Sequence, residues 1–418
     1  MRGARDGWAP NGGAGTEPPP PMGGRAAGAL GLTPCCTSGR CKPIGGGTEL
    51  VTGALTVFLP KRAFRSIFGL LSDIVALERF DTAHTSGLRE AAHYLHEAHA
   101  RKRDLVIRFR PRRILFVQQF RLPARRGAAP IAYYQSEAEG PVLVLANGLG
   151  GPVSAFRHQV EHFRKRFRVV TWDYRGLYGS RSETALERVD VAAHADDLER
   201  VLDTLGVENA VFVGWSMGVQ VVLELVARAP ARASHLVLMS GAYRRPFSSV
   251  RLPGAERWLS PLVGGAREKS KLVSRVVERL ARSRRAVNWV RRLRIVNPRF
   301  ETDALLALAE EFTTIDFDVY FRTLHALNEH DGSATLGRIA APALVVTGAR
   351  DILLPPSVAR DLAALLPRAE LFVVPDGTHY APAEFPELVN RRIDRFLTAH
   401  AVSAVLTDPT TGARISAP

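Results

Sequence analysis

Between residues 142 and 374 the apolar positions gather into short unbroken runs: Val142–Ala146, Val169–Trp172, Ala210–Val213, Leu236–Met239, Ala343–Thr347 and Leu371–Val374. After each run, apolar residues recur at intervals of three and four, the period of a helix with one buried face. Strands that are apolar throughout are covered on both faces, so the alternation predicts an α/β fold with a mostly parallel sheet sandwiched by helices. Ahead of these runs, Ile114–Phe120 and Ile131–Gln135 alternate as paired strands do. In such a sheet, functional groups are expected beyond the carboxyl ends of the strands.

Two helical patterns precede the sheet. From Lys61 to Phe80 the residues Phe64, Ile67, Phe68, Leu71, Ile74 and Val75 form an apolar stripe, with Lys61, Arg62 and Arg65 near its start. Such a helix either packs on the protein's own main domain, the preferred reading, or lies on a membrane. In the second helix, His93, His96 and His99 fan around the axis, and the run His-Glu-Ala-His is one residue short of a zinc-binding HExxH. No metal site is expected from it.

Composition changes the picture at the amino-terminal end. The first 47 residues hold 13 Gly and 7 Pro, too little apolar surface to offset chain entropy, so 1–48 reads as a disordered tail. It lacks the positive-then-apolar pattern of a secretory signal. Leu32-Thr33-Pro34-Cys35 has only a faint likeness to a lipoprotein cleavage site, and Met22 is an equally good first residue. All three cysteines, Cys35, Cys36 and Cys41, fall in this tail, so no disulfide or thiolate metal cluster is expected to hold the folded part together. No apolar stretch is long enough for a transmembrane helix, and the expected location is cytoplasmic, with peripheral membrane association left open.

The run at 210 ends in Gly214-Trp215-Ser216-Met217-Gly218 and is followed by a helix pattern through Val221, Leu223 and Leu225. This is G-x-S-x-G between strand and helix, where glycines let the chain turn sharply enough to project the Ser216 hydroxyl. A serine hydroxyl is nearly inert at neutral pH and needs a base, which in turn needs an orienting acid.

With these residues the chain resembles the α/β-hydrolase superfamily, of the serine esterase and lipase type with a helical cap. The resemblance covers about residues 114–400 and implies a triad in the order serine, acid, histidine. Ala343-Leu-Val-Val-Thr-Gly-Ala-Arg-Asp351, followed by Pro355 and Pro356, is similar to the family's seventh-strand turn and offers Asp351. Leu371-Phe-Val-Val-Pro-Asp-Gly-Thr-His379, ahead of a helix from Pro386 to Leu397, offers His379. The resemblance also implies an oxyanion hole made by the backbone N–H groups of Met217 and Leu149, the latter in Asn147-Gly148-Leu149-Gly150-Gly151, where relatives often have His-Gly. Trp215 and Asn147 are expected to touch substrate. Asp173-Tyr-Arg-Gly-Leu-Tyr-Gly-Ser180 resembles the loop after the fourth strand and reads as structural. Residues 111–242 and 335–400 would form the core, 243–334 a helical cap between strands six and seven, 49–110 a helical preface and 401–418 a flexible tail.

The formal charge is +15, which raises nucleic acid or an anionic membrane as a partner. Its distribution is uneven. Residues 243–300 hold 16 Lys or Arg and 3 acidic residues, a net of +13, while 301–334 hold one Arg and 8 acidic residues, a net of −7. No nucleic-acid motif accompanies the basic stretch, so nucleic acid is not expected as a partner; a solvated basic face is the first reading and an anionic membrane surface or substrate the second. The resulting expectation is a cofactor-free, metal-free serine hydrolase cleaving esters of hydrophobic acyl groups, with a small-molecule or lipid ester as its substrate. An acyltransferase, a cofactor-free haloperoxidase or perhydrolase, and a non-catalytic binding protein remain alternatives. Nothing in the pattern speaks to oligomeric state.

Overall fold

The structure, a computed structural model, describes residues 117–400 apart from 126–127, 185 and 251–254, together with the short paired strands Leu406–Thr407 and Arg414–Ile415. The three cysteines, the helix expected over Lys61–Phe80, and His93, His96 and His99 lie outside the described residues.

Eight strands form one sheet: β1 (Gln118–Leu122), β2 (Ile131–Gln135), β3 (Val142–Ala146), β4 (Arg168–Trp172), β5 (Ala210–Trp215), β6 (Ala233–Met239), β7 (Ala343–Gly348) and β8 (Ala369–Val374). Their order is β1-β2-β4-β3-β5-β6-β7-β8. β1 pairs antiparallel with β2, with Phe120 opposite Tyr133, and β2 antiparallel with β4; the remaining neighbours are parallel. All six residues of β5 and of β7 are buried, the physical reason those runs lack polar alternation.

The helices around the sheet are α1 (Arg157–Phe163), α2 (Val191–Thr204) and α3 (Met217–Arg228); α4 (Ala255–Glu268), α5 (Ser270–Ala281), α6 (Arg284–Arg292), α7 (Thr302–Phe312) and α8 (Phe317–Glu329) between β6 and β7; then α9 (Pro356–Leu365) and α10 (Pro386–Ala399). α1 and α10 cover one face, where Phe156, Phe163 and Phe396 pack on Leu143, Val211, Val237 and Leu344. α2, α3 and α9 cover the other through Leu198, Val222 and Leu362 on Val144, Phe212, Leu236 and Val345. Consecutive strand residues thus serve opposite cores, as the two-residue period of a strand dictates.

The Asp173–Ser180 stretch is structural, as its pattern implied. Arg175 is buried in an ion pair with Asp197 at 2.7 Å and also donates to the carbonyls of Arg188 and Ala193. Asp173 accepts from the Tyr134 hydroxyl and the Gly179 N–H, and Ser180 takes the N–H of Ala132 while donating to the Asp173 carbonyl.

β3 lies between β4 and β5, so the chain crosses the sheet in opposite directions before and after it. At such a switch the loops leaving two neighbouring parallel strands diverge and open a crevice. The loop after β3 and the turn after β5 are the walls of that crevice.

Candidate active site

Ser216 sits between β5 and α3 with φ 56° and ψ −117°, a left-handed conformation that L residues avoid. Its neighbours explain how so tight a turn is possible. A Cβ on Gly218 would lie 2.0 Å from the Ala146 carbonyl oxygen, and one on Gly214 would lie 2.8 Å from the Gly218 oxygen. Without side chains at both places α3 starts directly against β3. The Ser216 N–H donates to the Met239 carbonyl at 2.9 Å, bolting the elbow to β6.

The hydroxyl of Ser216 lies 3.0 Å from His379 Nε2, and His379 Nδ1 lies 2.9 Å from Asp351 Oδ2. Asp351 is 3% exposed, and its other oxygen accepts the N–H groups of Leu353 and Leu354 at 2.9 and 2.8 Å. One carboxylate oxygen is thus held by backbone while the second is aimed at the ring. A carboxylate facing Nδ1 favours the tautomer with its proton there, which leaves Nε2 as the acceptor for a hydroxyl. The three side chains come from the ends of β5, β7 and β8, brought together by the sheet.

The Leu149 and Met217 N–H groups have no hydrogen-bond partner among the described residues. Leu149 belongs to the loop after β3, which leans on the serine: a Cβ on Gly148 would stand 3.3 Å from the Ser216 Cβ. Met217 is the first residue of α3, where unpaired N–H groups and the helix dipole both favour negative charge.

Two expectations need correction. Asn147 does not present its side chain to substrate. It is 4% exposed, and its Nδ2 donates to the carbonyls of Gly151 and Pro152 while its Oδ1 accepts the Gly148 N–H. Every polar atom of the amide is used to fold the loop, so Asn147 closes the turn that presents Leu149. Trp215 is likewise turned away from the crevice. It is 4% exposed, stands edge-on to Phe156 and Tyr380, and donates its indole N–H to the His379 carbonyl at 3.0 Å. Strand alternation places the residue before the elbow in the core under the sheet, where it braces the histidine loop from below.

Other supports were not singled out for the site by the sequence. Tyr178 occupies a left-handed position with φ 45° and donates its hydroxyl to the Gly150 carbonyl at 2.6 Å. Tyr174 donates to the Asn147 carbonyl at 2.6 Å. Glu384, 9% exposed, accepts the N–H and hydroxyl of Thr378, beside His379, and also the N–H of Asn297 from the segment between α6 and α7. Burial holds its carboxyl above the usual range. Asp173 is pushed up to about 6 for the same reason, and Glu311 of α7, which takes the Ser154 hydroxyl at 2.6 Å, is also raised by burial.

The inserted helices reach the crevice with aromatic side chains. A Cβ on Gly150 would meet Phe312 at 2.6 Å and Tyr320 at 3.0 Å, so both rings lie on the loop that carries Leu149. Phe312 is packed edge-on against Phe317 and Tyr320. Burial raises the Tyr320 phenol to about 12, keeping that wall uncharged at neutral pH. No helix among the described residues is long and apolar enough to cross a membrane.

The sequence model of the family described as the alpha/beta hydrolase fold matches residues 141–386. The chain belongs to the alpha/beta-hydrolase family. As a member it is a hydrolase, and the matched span runs from β3 to the start of α10, taking in the elbow, the insertion and both loops that meet it. The hydrolase is similar to a putative carbamate hydrolase, RutD, of Caulobacter sp. (strain K31), with 31% identity over 263 residues, 62% of this chain and 91% of that protein. Among solved structures it is similar to the enol-lactonase from Burkholderia xenovorans LB400, with 26% identity, a TM-score of 0.53, and coverage of 65% of this chain and 97% of that one. A thermophilic esterase from Thermogutta terrifontis, at 23% identity and a TM-score of 0.52 over 68% of this chain and 99% of that one, shares the fold.

Proposed function

We propose that this hydrolase cleaves carboxylic esters of hydrophobic acyl groups through an acyl-enzyme on Ser216. The observation that carries the reading is the unbroken chain of contacts from the Ser216 hydroxyl through His379 to buried Asp351, at 3.0 and 2.9 Å. In the reaction Ser216 Oγ attacks the ester carbonyl carbon and its proton passes to His379 Nε2. The oxyanion that forms is held by the N–H groups of Leu149 and Met217. Collapse of the tetrahedral intermediate breaks the carbon–oxygen bond of the alcohol, which leaves with the proton from His379. Water then repeats the sequence, giving its proton to His379 and freeing the acid and Ser216. Asp351 holds the ring and stabilises its cation throughout.

The choice of an apolar acyl group is supported by the aromatic wall of Phe312 and Tyr320 beside the Leu149 loop. The similarity to a Burkholderia protein named an enol-lactonase also supports the reading, since a lactone is a cyclic ester. A carbamate is the second reading, favoured by the 31% identity to the putative carbamate hydrolase.

A series of nitrophenyl esters of increasing acyl length, run beside a carbamate, separates the two. Turnover that rises with acyl length supports the ester reading, and turnover confined to the carbamate replaces it. Ser216→Ala should abolish fluorophosphonate labelling and lower turnover by several orders of magnitude, since such a triad acts as a unit. A variant that still labels would remove Ser216 from the mechanism.

A further inference from the structure

Helices α4 to α6 and their flanks carry a surface that the crevice does not use. Twelve Lys or Arg side chains between 257 and 299 are exposed, and among the described residues only two of these twelve meet a carboxylate: Arg267 with Asp318 and Arg284 with Asp303. The other ten cations are exposed and meet no carboxylate among the described residues. Leu262, Leu272 and Leu293 stand exposed among them, at 56%, 45% and 39%.

The arrangement on α5 shows how the face is built. Val273 and Val277 pack inward against the core. Leu272, Arg275 and Arg279, spaced by three and four, share the opposite, exposed face. Leu293 is flanked by the exposed Arg292 and Arg294. Exposed leucines set among exposed guanidinium and ammonium groups match two layers of one partner. The cations fit phosphate headgroups and the leucines fit the acyl chains beneath them. A nucleic acid would satisfy the cations and leave the leucines in water.

We propose that the outer face of α4 to α6 is a docking surface for a bilayer rich in anionic lipid. The proposal stands apart from the ester chemistry and would hold for a different hydrolysed bond.

The test is sedimentation of the full chain with vesicles of phosphatidylcholine mixed with phosphatidylglycerol, and with phosphatidylcholine alone. Binding to the mixed vesicles at low salt is expected, with none to the neutral ones. It should weaken as salt is added, because the Debye length falls from about 30 Å at 0.01 M to about 8 Å at 0.15 M. Arg275→Gln with Arg279→Gln should weaken binding by about fivefold for each charge removed, with an unchanged melting temperature. Leu272→Ser should weaken binding while keeping its salt dependence. Equal binding to both vesicle types, none to either at low salt, or undiminished binding by the double arginine variant would overturn the proposal. So would a duplex oligonucleotide that displaces the protein from mixed vesicles at the same ionic strength, which would assign the face to nucleic acid.

Discussion

Tyr178 holds a left-handed backbone that costs an L residue about 1 kcal/mol or more. What the fold gains is a phenol placed against the Gly150 carbonyl, next to the residue proposed to stabilise the oxyanion. Tyr178→Phe keeps the ring and loses that bond. With one hydrogen bond worth about 0.5–1.5 kcal/mol, kcat should fall by about three- to tenfold with KM little changed; steady-state kinetics on one ester checks this, and a rise in KM alone would place Tyr178 in substrate binding. His194 makes a different residue-scale contribution. It is 1% exposed, packs edge-on to Tyr174, and has no hydrogen-bond partner for either ring nitrogen among the described residues; burial lowers its pKa to about 3. In the unfolded chain the ring takes up a proton near pH 6.5, so the fold binds fewer protons below that pH and stability falls as pH falls through the window between 6.5 and 3. At pH 5 the loss attributable to this group is about 2 kcal/mol. His194→Phe should therefore lose less stability than the parent between pH 7.5 and 5, measured by urea denaturation. Equal losses would mean that the ring protonates inside the fold.

At the scale of elements, the decisive contact joins the insertion to the histidine loop. Glu384 uses both carboxylate oxygens on Thr378 and Asn297, and Asn297 in turn donates its side chain to the Asp376 carbonyl at 2.8 Å. Glu384→Gln puts an NH2 where one acceptor stood, facing N–H against N–H. A buried donor left unpaired costs about 1–3 kcal/mol, so the melting temperature should drop and kcat should fall by about tenfold as His379 loses its setting. Thermal melts and kinetics together check this, and a drop in stability with unchanged kcat would show that the clip serves the fold alone. The strands and the three residues of the candidate triad were legible because continuous apolar runs mark buried strands and the triad residues follow their ends. The Glu384 clip was not, because helical periodicity tells which face of an element is apolar and not what the face will meet. Trp215 and Asn147 were misassigned for a related reason: nearness along the chain to Ser216, or to the expected donor Leu149, says nothing about which way a side chain turns.

For the whole molecule, the site is assembled from positions more than two hundred residues apart in the chain, Asn147 to His379, and exists only when the sheet from β3 to β8 is complete. The separation of charge within the insertion was readable from counting, yet only the structure shows which of those cations meet a carboxylate among the described residues. The crowding at Gly218 carries a consequence for how such a protein can change over time. Because α3 abuts the Ala146 carbonyl with no room for a side chain, the approach of α3 to the end of β3 is set by backbone meeting backbone. Lineages can therefore rewrite the aromatic wall or the inserted helices to suit new substrates while the elbow is inherited intact, and a side chain gained at position 218, as at 214, meets backbone that neighbouring substitutions cannot trim.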